Sequence, residues 1–224
     1  MPKTIGSCVL VEPSSSIRQC MDTYGIEGEG PWVNNSISRD ALFWSCGMIS
    51  TGGQTTEHKH DPVEVKRCRS LASAASRTMG ALWAMLRSGS DPETHPFFVA
   101  ARSDTLVASR IDESLIRAML GGSLHPDASV IIEPLAEGTA WWQDIEEDAR
   151  NDPEYADPKS LKKVLKPWHK LMQWFPAQEL AAPSFVQTTH PTHDDGTIGC
   201  VFPCFVVGIS DKGSLVGIVT HVVS

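Results

Sequence analysis

His190, His193, Cys200 and Cys204 form the densest set of metal-ligand side chains in the sequence, spaced H-x2-H-x6-C-x3-C. Two imidazoles and two thiolates can close a tetrahedral zinc site. The spacing matches none of the common zinc patterns, and Cys200 and Cys204 fall on one face of a strand, where small thiols are ordinary core residues. His58 and His60 make a sparser pair still. A zinc-binding protein or enzyme using the first four residues therefore stands as an alternative reading. No nucleophile elbow, phosphate-binding glycine loop or dinucleotide fingerprint accompanies them. The main reading is a protein with no catalytic residues and no cofactor.

A second group of residues is suited to binding. From Glu133 to Pro158 the acidic residues Glu133, Glu137, Asp144, Glu146, Glu147, Asp148, Asp152, Glu154 and Asp157 stand against one base, Arg150. The excess of eight equals the formal net charge of the whole chain, -8. Trp141 and Trp142 lie inside this segment. Adjacent side chains diverge from one helix or strand, so at least one tryptophan is expected at the surface. An exposed aromatic within carboxylates is the composition of a hot spot for a basic protein: the ring supplies rigid contact area and the charges steer approach. The plainer alternative is a solvated loop with one tryptophan folded beneath it.

Composition narrows the partners. A net charge of -8 and a pI near 5.4 argue against direct nucleic-acid binding, which needs a clustered positive field. Neither a secretory signal nor an apolar run long enough to span a bilayer is evident, so a cytoplasmic protein without membrane insertion is expected. Cys8, Cys20, Cys46, Cys68, Cys200 and Cys204 are scattered along the chain and read as reduced thiols. A length of 224 residues with 41% apolar content suits one core plus an extension.

The elements that must position these residues come in order. Residues 1–60 read as an irregular extension, with a short candidate strand at Ile5–Val11 and a second apolar piece at Ala41–Cys46, docking through Trp32, Phe43 and Trp44. Residues 61–224 read as the main domain. Asp61-Pro62-Val63-Glu64 spells an N-cap, a proline at the first helical position and a capping-box glutamate. The helix that follows carries an apolar stripe from Cys68 to Leu86 and ends near Gly89. His95–Ala101 reads as a strand, Leu106–Ile111 as a short partner, Asp112–Leu120 as a helix stopped by Gly121-Gly122, and Val130–Ile132 as a strand. Asp157-Pro158 starts a second long helix, with Pro167 expected to kink or break it. A loop with a short strand near Ser184–Gln187 leads to two β-branched runs, Phe205–Ile209 and Leu215–Val223, joined by Ser210-Asp211-Lys212-Gly213. That is the hairpin signal, since Gly can take the positive φ of a tight reversal. Leu215, Gly217, Val219, His221 and Val223 share one face of the last strand, and Val216, Ile218, Thr220 and Val222 the other. Neither face is polar throughout, so an interior strand covered on both sides is expected, holding the final residue, Ser224, in a defined place suited to binding.

From about residue 66 onward the order of these pieces resembles the nuclease A inhibitor family. The resemblance is most specific in VVGISDKGSLVGIVTHVVS, residues 206–224, which is similar to that family's closing hairpin. His95-Pro96-Phe97, the Val130–Ile132 strand before the acidic tryptophan segment, and the lysine-bearing helix from Ser160 support it. The resemblance implies an α+β fold: an α-β-α sandwich around a mainly antiparallel sheet, similar to the plant pathogenesis-related type-1 fold, with an N-terminal extension. It implies a non-enzymatic inhibitor of a basic, metal-dependent, sugar-non-specific endonuclease of the ββα-metal class. The contacts it implies are a loop carboxylate, Glu93 or Asp91, an aromatic, Trp142 or Trp141, and the terminal group at Ser224, which reaches the nuclease's metal. A non-inhibitory module of the same fold, recognising another basic protein, is the alternative within that class.

Overall fold

The computed structural model describes residues 4–5, 8–13, 17–18, 36–51, 60–80, 93–102, 108, 110–155, 157–188 and 201–223. These form four helices and two antiparallel sheets, an α+β architecture. The first sheet contains β1 (Thr4–Ile5), β2 (Cys8–Val11), β3 (Ala41–Trp44) and β4 (Ile49–Thr51), in that order. The second contains β5 (His95–Val99), β6 (Val130–Pro134), β7 (Ala181–Thr188), β8 (Val201–Ile209) and β9 (Leu215–Val223), in the order β5-β9-β8-β7-β6.

The closing hairpin forms as its alternation predicts. β9 lies between β5 and β8 and pairs with β8 from Leu215 opposite Ile209 to Val223 opposite Val201. Gly213 turns the chain at φ 85°, its N–H bonding the Ser210 carbonyl at 2.9 Å. The period of two sends Cys204, Val206, Val216, Ile218 and Val222 to one face and Phe205, Val207, Ile209, Leu215 and Val219 to the other.

The first face is covered by α1 (Pro62–Met79), α3 (Ala140–Asn151) and α4 (Pro158–Ala177). The second is covered by Ile116 and Leu120, in and just after α2 (Glu113–Met119), together with Ile37, Phe43 and Ile49. The described part of residues 1–60 is more regular than expected: the Ile5–Val11 run supplies β2 and the end of β1, and the Ala41–Cys46 piece supplies β3. Its strands are two to four residues long and pair across a gap of about thirty residues, which local patterning does not register. Phe43 and Trp44 are buried as expected, while Trp32 lies outside the described residues. So do residues 81–90, where the first helix was expected to continue; α1 is described to Met79, capped by Gly80.

α4 runs unbroken through Pro167, where a kink or break is expected from the lost N–H. Val164 and Leu165 before it, and Trp168 and Leu171 after it, all pack into one core, so burial on both sides carries the helix across the defect.

Asp61 caps α1 as predicted, accepting the Val63 N–H at 2.9 Å, and Pro62 occupies the first turn. Glu64 departs from the capping-box reading. Its side chain is only 2% exposed and turns into the protein. Oε1 accepts hydrogen bonds from the hydroxyls of Ser210 and Ser214, each at 2.7 Å, and from the Cys68 thiol at 3.3 Å. Arg67 lies 3.6 Å from Oε2. Ser214 Oγ also accepts the Ala101 N–H at 2.9 Å, and Ser210 Oγ accepts the Ser214 N–H at 3.1 Å. Outside this knot Lys212 pairs with Asp61 at 2.7 Å, and Arg67 pairs with Asp211.

Burial alone would raise the Glu64 pKa. The bonds from Ser214, Ser210 and Cys68 and the charge of Arg67 together outweigh it and hold the carboxyl below its usual value of 4.5. With a depressed folded-state pKa, the unfolded chain binds protons more readily. The contribution to stability is complete above the unfolded-state value and is lost as pH falls through the folded-state value. Glu64→Ala strands two buried hydroxyls and is expected to cost about 3 kcal/mol in urea unfolding. Glu64→Gln is expected to flatten the acid limb of the stability curve relative to wild type; an unchanged acid limb would contradict this assignment.

Candidate functional site

The middle of the acidic segment, for which a solvated loop was the plainer alternative, is the helix α3. Thr139 stands at its N-cap but spends its hydroxyl on the Ala136 carbonyl at 2.7 Å and makes no side-chain cap bond. Glu133 supplies the cap from the end of β6, accepting the Ala140 N–H at 2.8 Å. A carboxylate at a helix N-terminus is favoured by the free N–H groups there.

Both tryptophans are buried, Trp141 at 4% exposure and Trp142 at 2%, which overturns the expectation that at least one is exposed. The argument from divergence fails because α3 touches two surfaces at once. Trp141 stacks on Phe185 of the sheet, with ring centroids 5.0 Å apart, and donates its indole N–H to the Pro134 carbonyl at 3.0 Å. Trp142, a hundred degrees round the helix, meets the edge of His169 on α4 at 5.1 Å. Ile145 and Ala149 complete the buried stripe. The two rings anchor the helix and offer no face to a partner.

What α3 presents outward is charge. Gln143, Asp144, Glu147, Arg150 and Asn151 are exposed. Several carboxylates of the segment are already committed: Glu146 pairs with Arg150 at 3.3 Å, Glu137 with His169 at 3.0 Å, and Asp157 caps α4 through the N–H groups of Lys159 and Ser160. The side chains of Asp144, Glu147 and Glu154 make no hydrogen bond or ion pair among the described residues. Beside this ridge, α4 exposes Lys159, Lys162, Lys163, Lys166 and Lys170, which fall within about 100° of its circumference. Opposite charges therefore sit on neighbouring helices.

Of the other predicted contact residues Glu93 alone is described, and it does not lie on this ridge. Asp91 and Ser224 lie outside the described residues. Glu93 is exposed, with Oε2 3.9 Å from His95 Nε2, just before β5. β5 and β6 are opposite edges of the sheet, four strand spacings or about 19 Å apart. Glu93 thus belongs to a different rim from Trp141 and Trp142. Near it, on β9, His221 is 4% exposed, its pKa lowered by burial and secondarily by His95.

Of the C-terminal metal set, His190, His193 and Cys200 are outside the described residues. Cys204 is fully buried on the helix-covered face, where desolvation pushes its thiol up. The ligand cluster that is described lies elsewhere. Cys8, Cys46 and His60 place their donor atoms within 4.8 Å of one another, all three buried. Distances of 38 and 14 positions separate them in sequence, so no spacing motif announces them. No protein-family model matches the chain, and no curated protein is significantly similar to it.

Trp142→Ala is expected to cost about 3–5 kcal/mol of folding stability, measured by denaturant unfolding, as removal of a buried ring does. Because its folded-state pKa is depressed, His221 is expected to titrate below 6.5 by NMR. Its contribution to stability is complete above the unfolded value and is lost as pH falls through the folded one. A normal or raised titration midpoint would refute the burial argument.

Proposed function

We propose that this protein is a non-enzymatic binding protein that docks a basic protein through the outer face of α3. In its finer form the proposal is an inhibitor, similar to the nuclease A inhibitor family, of a basic metal-dependent endonuclease. The observation that carries it is the pair Asp144 and Glu147, left without counter-ions among the described residues on the helix that Trp141 and Trp142 hold against the core, with Glu154 exposed in the turn that follows. Carboxylates fixed on a rigid support can take the place of phosphates before the arginines and lysines of a nuclease cleft, and little ordering is lost on binding. The adjoining lysines of α4 would then set the direction in which the partner lies.

The similarity of the closing hairpin to that family supports the choice of a nuclease over other basic proteins. The finer fold, an α-β-α sandwich with residues 1–60 as an extension, and a cytoplasmic location belong to the same reading. So do the contacts of Asp91, Glu93 and Ser224, with Ser224 reaching the partner's metal ion.

Titration of the protein into a DNA-hydrolysis assay with ββα-metal endonucleases tests it. Inhibition at one-to-one stoichiometry is expected. The double reversal Asp144→Lys and Glu147→Lys is expected to weaken it about tenfold or more, with the effect shrinking as salt rises. Binding by calorimetry with unaltered hydrolysis would reduce the function to a docking module of the same fold; neither binding nor inhibition would remove the reading altogether.

A further inference from the structure

We propose that Cys8, Cys46 and His60 form a binding site for one thiophilic closed-shell metal ion, Zn²⁺ or Cu⁺, independent of the acidic ridge. The three residues come from separate pieces of chain: the start of β2, the turn between β3 and β4, and the position before the N-cap of α1. Each is held in place by backbone contacts that point its donor inward.

Cys46 sits on a tight turn in which the Gly47 N–H bonds the Trp44 carbonyl at 2.8 Å and the Trp44 N–H bonds the Met48 carbonyl at 2.9 Å. Gly47 has φ 80°, and a Cβ there would fall 2.0 Å from the Phe98 carbonyl oxygen, so only glycine lets this turn press against β5. The Ala100 N–H fixes the Cys46 carbonyl at 3.0 Å.

Cys8 is brought alongside by the neighbouring strand contact, in which the Ser45 N–H bonds the Val9 carbonyl at 2.8 Å and the Val9 N–H bonds Ser45 Oγ at 3.1 Å. His60 forms an antiparallel bridge with Arg102, and its Nδ1 faces the Ala101 carbonyl at 3.2 Å. That contact places the ring proton on Nδ1 and the lone pair on Nε2, the usual way a ligating imidazole is oriented.

The donor set decides the ion. Two sulfurs and one imidazole are soft to borderline ligands, which select Zn²⁺ or Cu⁺ over Mg²⁺ and Ca²⁺. Trp44 and Met48 pack with the two cysteines, and Leu10, Leu42 and Val65 close around them, so the site is enclosed by apolar groups. The nearest carboxylate in sequence, Asp61, is engaged by Lys212 and by the first turn of α1. In tetrahedral zinc geometry neighbouring donors lie about 3.6–3.8 Å apart. Atoms already within 4.8 Å need to close by about 1 Å. A bound ion would release the thiol protons and fasten the first sheet to the entry of α1, coupling metal affinity to folding of the N-terminal part.

Full-length protein, reduced and stripped with a chelator, is titrated with Co²⁺ as a stand-in for Zn²⁺ and, separately, with Cu⁺. One equivalent is expected to bind, with a sulfur-to-cobalt charge-transfer band in the first arm and a rise in melting temperature with the preferred ion. Cys46→Ser is expected to abolish the band, and His60→Gln to weaken binding about tenfold or more. X-ray absorption on the loaded wild-type protein needs no variant and is expected to show two sulfurs and one imidazole nitrogen bound to the ion. Absence of stoichiometric binding in both arms overturns the proposal. So does loss of the band in Cys204→Ser while Cys46→Ser retains it, which would move the metal to the C-terminal residues.

Discussion

Two pieces of this chain that lie some 150 positions apart are joined by one buried carboxylate. Taking Glu64 out of water is costly, several kcal/mol for an ion of this size. The cost is met only because the hydroxyls of Ser210 and Ser214, the Cys68 thiol and the Arg67 guanidinium all converge on it. Because Ser210 and Ser214 of the hairpin both meet one oxygen of Glu64, the interaction ties the rotation of α1 as well as its distance to the hairpin. With that rotation set, Cys68, Ala72, Ala75 and Met79 face the sheet. Through Ser214 the same knot reaches the Ala101 N–H, two residues past the end of β5. It therefore also determines where the residues just before α1, His60 among them, meet the N-terminal sheet.

This explains what could be read from the sequence and what could not. The hairpin was legible because its information is local: a period of two, a β-branched run on each side, and a glycine where the turn needs positive φ. The starts of α1 and α4 were legible for the same reason, each being an aspartate followed by proline. Glu64 obeyed the local pattern of a capping box and then did something else, because partners 146 and 150 positions away offered a better set of donors. α3 was missed because its own N-cap side chain is spent elsewhere and its cap comes from Glu133, seven positions upstream. Its tryptophan pair was misjudged because a helix wedged between a sheet and another helix has a buried stripe wide enough for adjacent residues. The sulfur and imidazole cluster lacked any signal in spacing, since three separate pieces of chain, rather than one motif, bring it together.

Charge and burial divide the labour on α3. A net excess of carboxylates on a mobile loop would lose entropy on every docking event, and the same residues on an anchored helix lose less. The large aromatic residues, which in isolation suggest contact area for a partner, serve instead to anchor the helix. Trp141 is stacked on Phe185 and tilted against Trp168, and Trp142 abuts His169. His169 in turn pairs with Glu137 before the helix. The charged outer face and the core are thus two sides of one element.

The two edges of the five-stranded sheet are treated differently. An edge strand exposes unpaired backbone groups and invites unwanted pairing unless something covers it. Near the end of β5 the chain from the first sheet does so: Gly47 packs on the Phe98 carbonyl, Cys46 accepts the Ala100 N–H, and His60 bridges to Arg102. An ion held by Cys8, Cys46 and His60 would lock that cover in place. At the opposite edge β6 is short, five residues, with Ile131 43% exposed and Pro134 at its end, where the chain leaves for α3. Proline there removes a donor from the ladder and Glu133 turns to cap the helix, so the edge ends in charge rather than in free strand. Carboxylates thus stand in front of the backbone on this side, which disfavours pairing by strand addition.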